Sequence, residues 1–240
     1  MGSKSTVRRA PKPEGGVVLA YIHPGETSAY FTESMLTTVL ASTSGQIPRV
    51  ANILQEWSSA NVSASRNAVT QRFLDMGVGE WLLWVDADMA WTPADVAAIL
   101  EVADPTERPV VGGLCFGMMT ERMWPTIYQW AELPEGLTTV RVGQYPRDAV
   151  VQVAATGAAF LLIHRSVLER MRDHGFSRAF PFFQETEHLG KPVGEDLTFC
   201  IRCGLLGIPV HVHTGVRIGH HKSHLLTEAG FLAQPTPEGV

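Results

Sequence analysis

The chain has 240 residues, 45% of them hydrophobic, and a formal net charge of −5 at pH 7. That length fits one large domain, or a domain with an appended lobe, and mean hydropathy near zero is ordinary for a globular protein. The acidic balance gives no general pull toward nucleic acid or anionic membrane, no apolar run reaches the roughly 18–20 residues of a bilayer span, and three cysteines make no disulfide framework. With no apolar leader at the N-terminus, the expectation is a protein of the reducing cytoplasm without a membrane partner.

The only basic cluster, Lys4 to Lys12 with Arg8 and Arg9, is interleaved with Pro and Ser and reads as a flexible arm over 1–16. Val17 to Ile22 reads as the first strand, ending in the loop His23-Pro24-Gly25-Glu26. A helix follows from about Ser28 to Leu40, with Phe31, Met35, Leu36 and Val39 on one face. Arg49–Trp57 is a second strand. Asn61–Met76 is a second helix with Ala64, Ala68 and Phe73 inward.

Trp81 to Val85 is a continuous apolar run, as in a strand buried on both faces, and leads into Asp86-Ala87-Asp88. Thr92, Pro93 and Asp95 then match an N-cap, a first helical position and a capping-box acid, opening a helix over 93–102. This alternation predicts an α/β domain with a mostly parallel sheet. The first loop lacks G-x-G-x-x-G and G-x-x-x-x-G-K-[ST], which disfavours a Rossmann dinucleotide site and excludes a P-loop.

The second half has a strand over 109–116, an extended edge over 125–130 and a Gly/Pro-containing hairpin region to Asp148. Strands over 150–153 and 158–163 bracket Ala154-Ala155-Thr156-Gly157, a small-residue bend that admits a close approach to the backbone. Ser166 reads as the cap of a helix to Arg172, and 176–190 as a loop. Gly194-Glu195-Asp196 opens a last helix, and 210–216 is a final strand leading to Gly219-His220-His221.

Asp86 and Asp88, on alternate residues of an extended segment, point roughly the same way as hard oxygen ligands. Mg²⁺ and Mn²⁺ are held by one or two such carboxylates, with phosphates and water completing the shell. Their place at the carboxyl end of a buried strand is where open α/β sheets bind ligands.

Ser65-Arg66-Asn67, Trp84-Val85-Asp86-Ala87-Asp88, Thr156-Gly157, Gly194-Glu195-Asp196-Leu197 and Val216-Arg217-Ile218-Gly219-His220 occur in this order. The set resembles the GT-A fold nucleotide-sugar glycosyltransferases, close to inverting glycosyltransferase family 2, and is similar to compact members encoded by bacteriophages. The resemblance covers about 17–224. It implies a single GT-A domain with a donor half over 17–115 and an acceptor half over 116–224, followed by a tail over 225–240. It further implies that Asp88 and His220 ligate Mn²⁺ or Mg²⁺ on the donor diphosphate, and that Asp86 contacts the ribose or a water on the metal. Asp196 would be the base that deprotonates the acceptor hydroxyl, with Glu195 orienting the acceptor or Asp196. His23, Pro24 and Glu26 fall where the family grips the nucleoside, and Thr156-Gly157 near the donor sugar. The implied partners are a nucleotide-sugar, read as a UDP-sugar by this likeness, and an acceptor that is a hydroxylated DNA base, a protein or a glycan.

Other readings stand beside these. Arg66 either contacts the diphosphate or pairs with a neighbouring acid. Trp124, Trp130, Phe182 and Phe183 either stack on sugar or base rings or belong to the core. Cys200-x-x-Cys203 with His211 and His213 has a loosely zinc-like spacing, although both thiols fall in an apolar helix. His220, His221 and His224 form a possible histidine cluster. The rival functions are a metal-dependent nucleotidyltransferase and a non-catalytic sugar-nucleotide-binding module.

Overall fold

A computed structural model describes residues 15–119 and 122–222. Most of the expected N-terminal arm, the whole of the expected tail, and His224 lie outside the described residues.

The first half runs β1 (Val17–His23), α1 (Ala29–Thr43), β2 (Val50–Trp57), α2 (Val62–Met76), β3 (Trp81–Val85), β4 (Met89–Ala90), α3 (Pro93–Val102) and β5 (Val110–Leu114). Two hairpins follow, β6 (Phe116–Met119) with β7 (Arg122–Pro125) and β8 (Ile127–Leu133) with β9 (Gly136–Arg141). Then come β10 (Val150–Val153), β11 (Ala155–Thr156), β12 (Phe160–His164), α4 (Arg165–His174), β13 (Thr186–His188), β14 (Lys191–Val193), α5 (Glu195–Leu205), β15 (Val210–Arg217) and β16 (Gly219–His220).

The central sheet has seven strands in the order β10-β15-β5-β12-β3-β1-β2. β12 is antiparallel to both its neighbours and β10 to β15, while the remaining pairs are parallel. Five strands therefore share one direction, and the sheet is mixed and mostly parallel. β12 lies between β3 and β5, so the later part of the chain is woven into the same domain.

The Trp81–Val85 run is apolar throughout because both faces of β3 are covered. Leu82 and Trp84 pack with α2, α4 and α5, whereas Trp81, Leu83 and Val85 pack with α1 and α3. All five side chains are buried; burying one large apolar side chain contributes about 1.5–3 kcal/mol. The expected caps form: Thr92 and Asp95 complete a capping box on α3, and Asn61 Oδ1 accepts from Ala64 N–H at 3.0 Å on α2.

Three local expectations are corrected. On α1 the buried face is Phe31, Ser34, Thr38 and Ala41, while Leu36 is 60% exposed. Two hydroxyls face inward because Trp91 needs them: its N–H donates to Ser34 Oγ and its indole N–H to Thr38 Oγ1, both at 2.9 Å. On α2 Phe73 is buried, but Ala68 is exposed and Ala64 only partly covered. Ser63, Arg66, Asn67 and Thr70 take the inward face, since Asn67 binds the 182–183 backbone and Arg66 binds acids of the site described below. The cap of α4 is His164, whose Nδ1 accepts from Ser166 N–H, rather than Ser166 itself. No helix among the described residues is long and apolar enough to cross a membrane.

Candidate active site

The site is built on the turn that leaves β3. Met89 N–H donates to the Asp86 carbonyl at 3.0 Å, so residues 86–89 form a tight turn and not the extended segment expected. The chain reverses here to enter β4, which pairs with β16. Asp86 and Asp88 consequently point to different partners. Three neighbours pin the turn through the backbone: Asp86 N–H donates to Ala159 O, Ser28 N–H to Ala87 O, and His221 N–H to Asp88 O.

Asp88 Oδ2 lies 3.0 Å from His220 Nε2 and 2.8 Å from Lys222 Nζ. Burial alone would raise the Asp88 pKa, but these two hydrogen bonds, with the charges behind them, hold it down at about 2. The bond to Asp88 raises His220 in turn. His220 Nδ1 is 2.7 Å from the Phe116 carbonyl, which can only accept, so Nδ1 carries a proton. The 3.0 Å bond to the Asp88 carboxylate then needs a proton on Nε2 as well, so the pair as it stands is imidazolium with carboxylate, and loss of the Nε2 proton leaves a lone pair that a cation can take. One carboxylate oxygen and one imidazole nitrogen converging in this way fit Mn²⁺, with substrate phosphates left to complete the shell. Among the described residues no group of three or more His, Cys, Asp and Glu side chains could hold a metal by itself.

Arg66 is buried, with Nη2 2.7 Å from Asp86 Oδ1 and Nε 3.3 Å from Glu195 Oε1. Its guanidinium carbon lies 5.0 Å from the centre of the Trp84 ring and 5.7 Å from that of Phe183. Burial would lower its pKa, but Asp86, Glu195 and Asp196 outweigh that and raise it. Its partners are therefore acids of the site, themselves only partly buried.

Glu195 and Asp196 open α5 directly after Gly194. Burial, and then the Glu195 carboxylate, push Asp196 up to about 6, against a 2.7 Å bond from Leu197 N–H. Gly157 faces Asp196 closely: a Cβ there would lie 3.5 Å from Asp196 Oδ2. The small residue keeps the carboxylate approachable.

A cavity of about 690 Å³ opens beside the turn, lined by Pro24, Glu26, Arg66, Asp86, Asp88 and Glu195 among the expected residues, together with Thr27, Ser28, Ala87, His221 and Lys222. His23 is not among its lining residues and bonds Gln55 at 2.6 Å. Gly25, at φ +115°, packs against Trp57 so tightly that a Cβ would lie 2.8 Å from the ring. Thr156 is buried, with its hydroxyl donating to Thr126 O. Lys222 was missed, although its place two residues after His220 was the available signal, and His221 was named only as part of the possible histidine cluster.

Phe182 and Phe183 are fully buried, and Phe183 stacks on Phe199 at 4.8 Å, so both are core. Trp130 is 44% exposed. Cys200 and Cys203 are buried in the core, with burial pushing the Cys200 thiol up to about 12 and raising Cys203 as well. Those thiols favour the protonated form, the opposite of a zinc ligand.

No family model matches the chain, and no curated protein sequence does. Among solved structures it is similar to A197 from STIV, at 14% identity over 86% of each chain with a TM-score of 0.53. It is also similar to GalNAc-T7, solved with UDP, GalNAc and Mn²⁺, at 11% identity and a TM-score of 0.55. That alignment covers 85% of this chain and 43% of GalNAc-T7, so the chain spans less than half of that protein's length. The fold is that of the GT-A glycosyltransferases.

Proposed function

We propose that the protein is a metal-dependent glycosyltransferase that moves a sugar from a nucleotide-sugar, read here as a UDP-sugar, to an acceptor hydroxyl with inversion. The observation that carries this reading is the convergence of Asp88, on the wall of the 690 Å³ cavity at the carboxyl edge of β3, with His220, which lines a second cavity of about 270 Å³ that shares Lys222 with the first. GalNAc-T7, which shares the fold, is described with UDP and Mn²⁺.

In this reading Asp88 and His220 hold Mn²⁺ or Mg²⁺, and Asp86 faces the ribose. When bound, the cation spreads the charge of the departing nucleoside diphosphate, a Lewis-acid role. Pro24 and Glu26 flank the nucleoside, and Arg66 fixes Asp86. Asp196 accepts the acceptor's hydroxyl proton as that oxygen attacks the anomeric carbon opposite the leaving group. A carboxylate at about 6 is ionised at neutral pH yet more basic than an ordinary aspartate. Glu195 supplies part of that shift and holds Arg66 at the same time. Residues 17–115 serve as the donor half and 116–224 as the acceptor half. A hydroxylated DNA base, a protein or a glycan is the acceptor, and the host cytoplasm the place of action if a phage encodes the enzyme.

The test is donor turnover. UDP- and GDP-sugars are incubated with Mn²⁺ or EDTA and released nucleoside diphosphate is measured. Metal-dependent release with one donor, lost in Asp88→Ala, supports the reading. Neither release nor metal-dependent nucleotide binding overturns it, and binding without turnover would leave a sugar-nucleotide-binding module.

A further inference from the structure

The charged side chains lining the 690 Å³ cavity are unbalanced. Glu26, Asp86, Asp88 and Glu195 face Arg66 and Lys222. Arg66 is buried and held by Asp86 and Glu195, although its Nη1 has no partner, whereas Lys222 is 46% exposed and, among the described lining residues, is the cation free to turn toward an entering anion. Lys222 is held by Asp88 Oδ2, the oxygen that also meets His220.

We propose that Lys222 exchanges partners as the site loads: its ammonium competes with the divalent cation for Asp88 and transfers to the diphosphate, so that metal and nucleotide bind cooperatively. This rests on the glycosyltransferase reading above. A diphosphate alone meets an acidic wall, and a divalent cation alone meets an ammonium already on its carboxylate. Two positive charges about 4 Å apart repel by roughly 1 kcal/mol even in water, and by more where solvent is partly excluded. When both ligands arrive, the diphosphate offers Lys222 a new partner and the metal takes Asp88 without opposition.

The local structure permits that exchange without backbone movement. His221 N–H is bonded to the Asp88 carbonyl at 2.8 Å, and His220 pairs with Met89, so the main chain beside Lys222 is fixed. The Lys222 side chain is 46% exposed and has four rotatable bonds. It lines both the 690 Å³ cavity and an apolar one of about 270 Å³ formed with Phe116, Met118, Met123 and Ile218. Space is therefore present on both sides of the stem.

The experiment measures Mn²⁺ binding to the full chain by electron paramagnetic resonance of free Mn²⁺, with and without UDP as probe. Lys222→Met should bind Mn²⁺ alone roughly three- to ten-fold more tightly than the wild type, and UDP in the presence of Mn²⁺ more weakly by a similar factor. Lys222→Arg should stay near the wild type in both. Because coupling is reciprocal, the factor by which UDP improves Mn²⁺ binding should shrink in Lys222→Met. A side chain with only a structural role would not move the two affinities in opposite directions. If the wild type binds Mn²⁺ and Lys222→Met binds it equally or less tightly, the exchange is overturned and the metal reading stands. If the wild type binds no Mn²⁺ with or without UDP, the metal-dependent reading falls and the exchange with it.

Discussion

Arg66 Nη2 lies 2.7 Å from Asp86 Oδ1 while its Nε lies 3.3 Å from Glu195 Oε1, so one buried guanidinium joins the turn after β3 to the start of α5. Breaking a fully buried ion pair typically costs about 3–5 kcal/mol, and the partial exposure of both acids lowers that. Arg66→Met should therefore lose about 2–3 kcal/mol of unfolding free energy in urea. Arg66→Lys should recover only part of it, because a point-like ammonium cannot address both carboxylates through separate nitrogens.

Asp196 gives a pH dependence with a defined sign. Its folded pKa of about 6 exceeds the unfolded aspartate value of about 3.9, so between those pH values the folded chain binds more protons. The stabilising contribution is complete below about pH 4 and lost as pH rises through about 6. Asp196→Asn removes the buried charge, and thermal unfolding should show the variant gaining on the wild type above pH 6 but not below pH 4. In kinetics, wild-type kcat/KM should rise through an apparent pKa near 6, and Asp196→Asn should lose about 10²–10⁴-fold in transfer while retaining donor binding.

Asp88→Ala and His220→Ala should each weaken Mn²⁺ binding at least about ten-fold, measured by calorimetry, because each removes one of two converging ligands. Substituting His211 or His213 should not, since both lie on β15 paired with β10 and it is His220 that meets Asp88.

The three thiols provide a separate check. Cys115, Cys200 and Cys203 are all buried, and burial raises each pKa. Titration with a thiol reagent should find none reactive in the native chain and three after denaturation. Rapid reaction of Cys200 or Cys203 in the native state would contradict their packing.

What could be read from the sequence follows from which physical rule governed each segment. Trp81–Val85 was legible because a strand covered on both faces must be apolar at every position. The α3 start was legible because Thr92, Pro93 and Asp95 are local signals that need no tertiary context. Two features were hidden because a tertiary partner decided them. Ser34 and Thr38 face inward to satisfy Trp91, and Arg66 and Asn67 do so to bind acids and a distant loop, whereas hydrophobic periodicity assumes an apolar inner face. The Asp86–Met89 turn was hidden because alternate acids after a strand read equally well as extended chain. Only the pairing of β4 with β16, which sets Met89 opposite His220, 131 residues later in the chain, requires the reversal.

Gly157 carries the last prediction. A Cβ at this position would lie 3.5 Å from Asp196 Oδ2 and 3.6 Å from Thr126, ordinary contact distances, and its backbone is not in the left-handed region. Gly157→Ala should therefore fold. The added methyl group displaces solvent from the Asp196 carboxylate, and desolvation disfavours the charged form. The midpoint of the pH–rate profile should consequently move above that of the wild type, expected near 6 from the Asp196 carboxyl. Gly157→Ser places a hydroxyl at similar reach and should move it less, because a donor to the carboxylate favours the ionised state. An unchanged midpoint in Gly157→Ala would show that the group titrating in the rate profile is not Asp196.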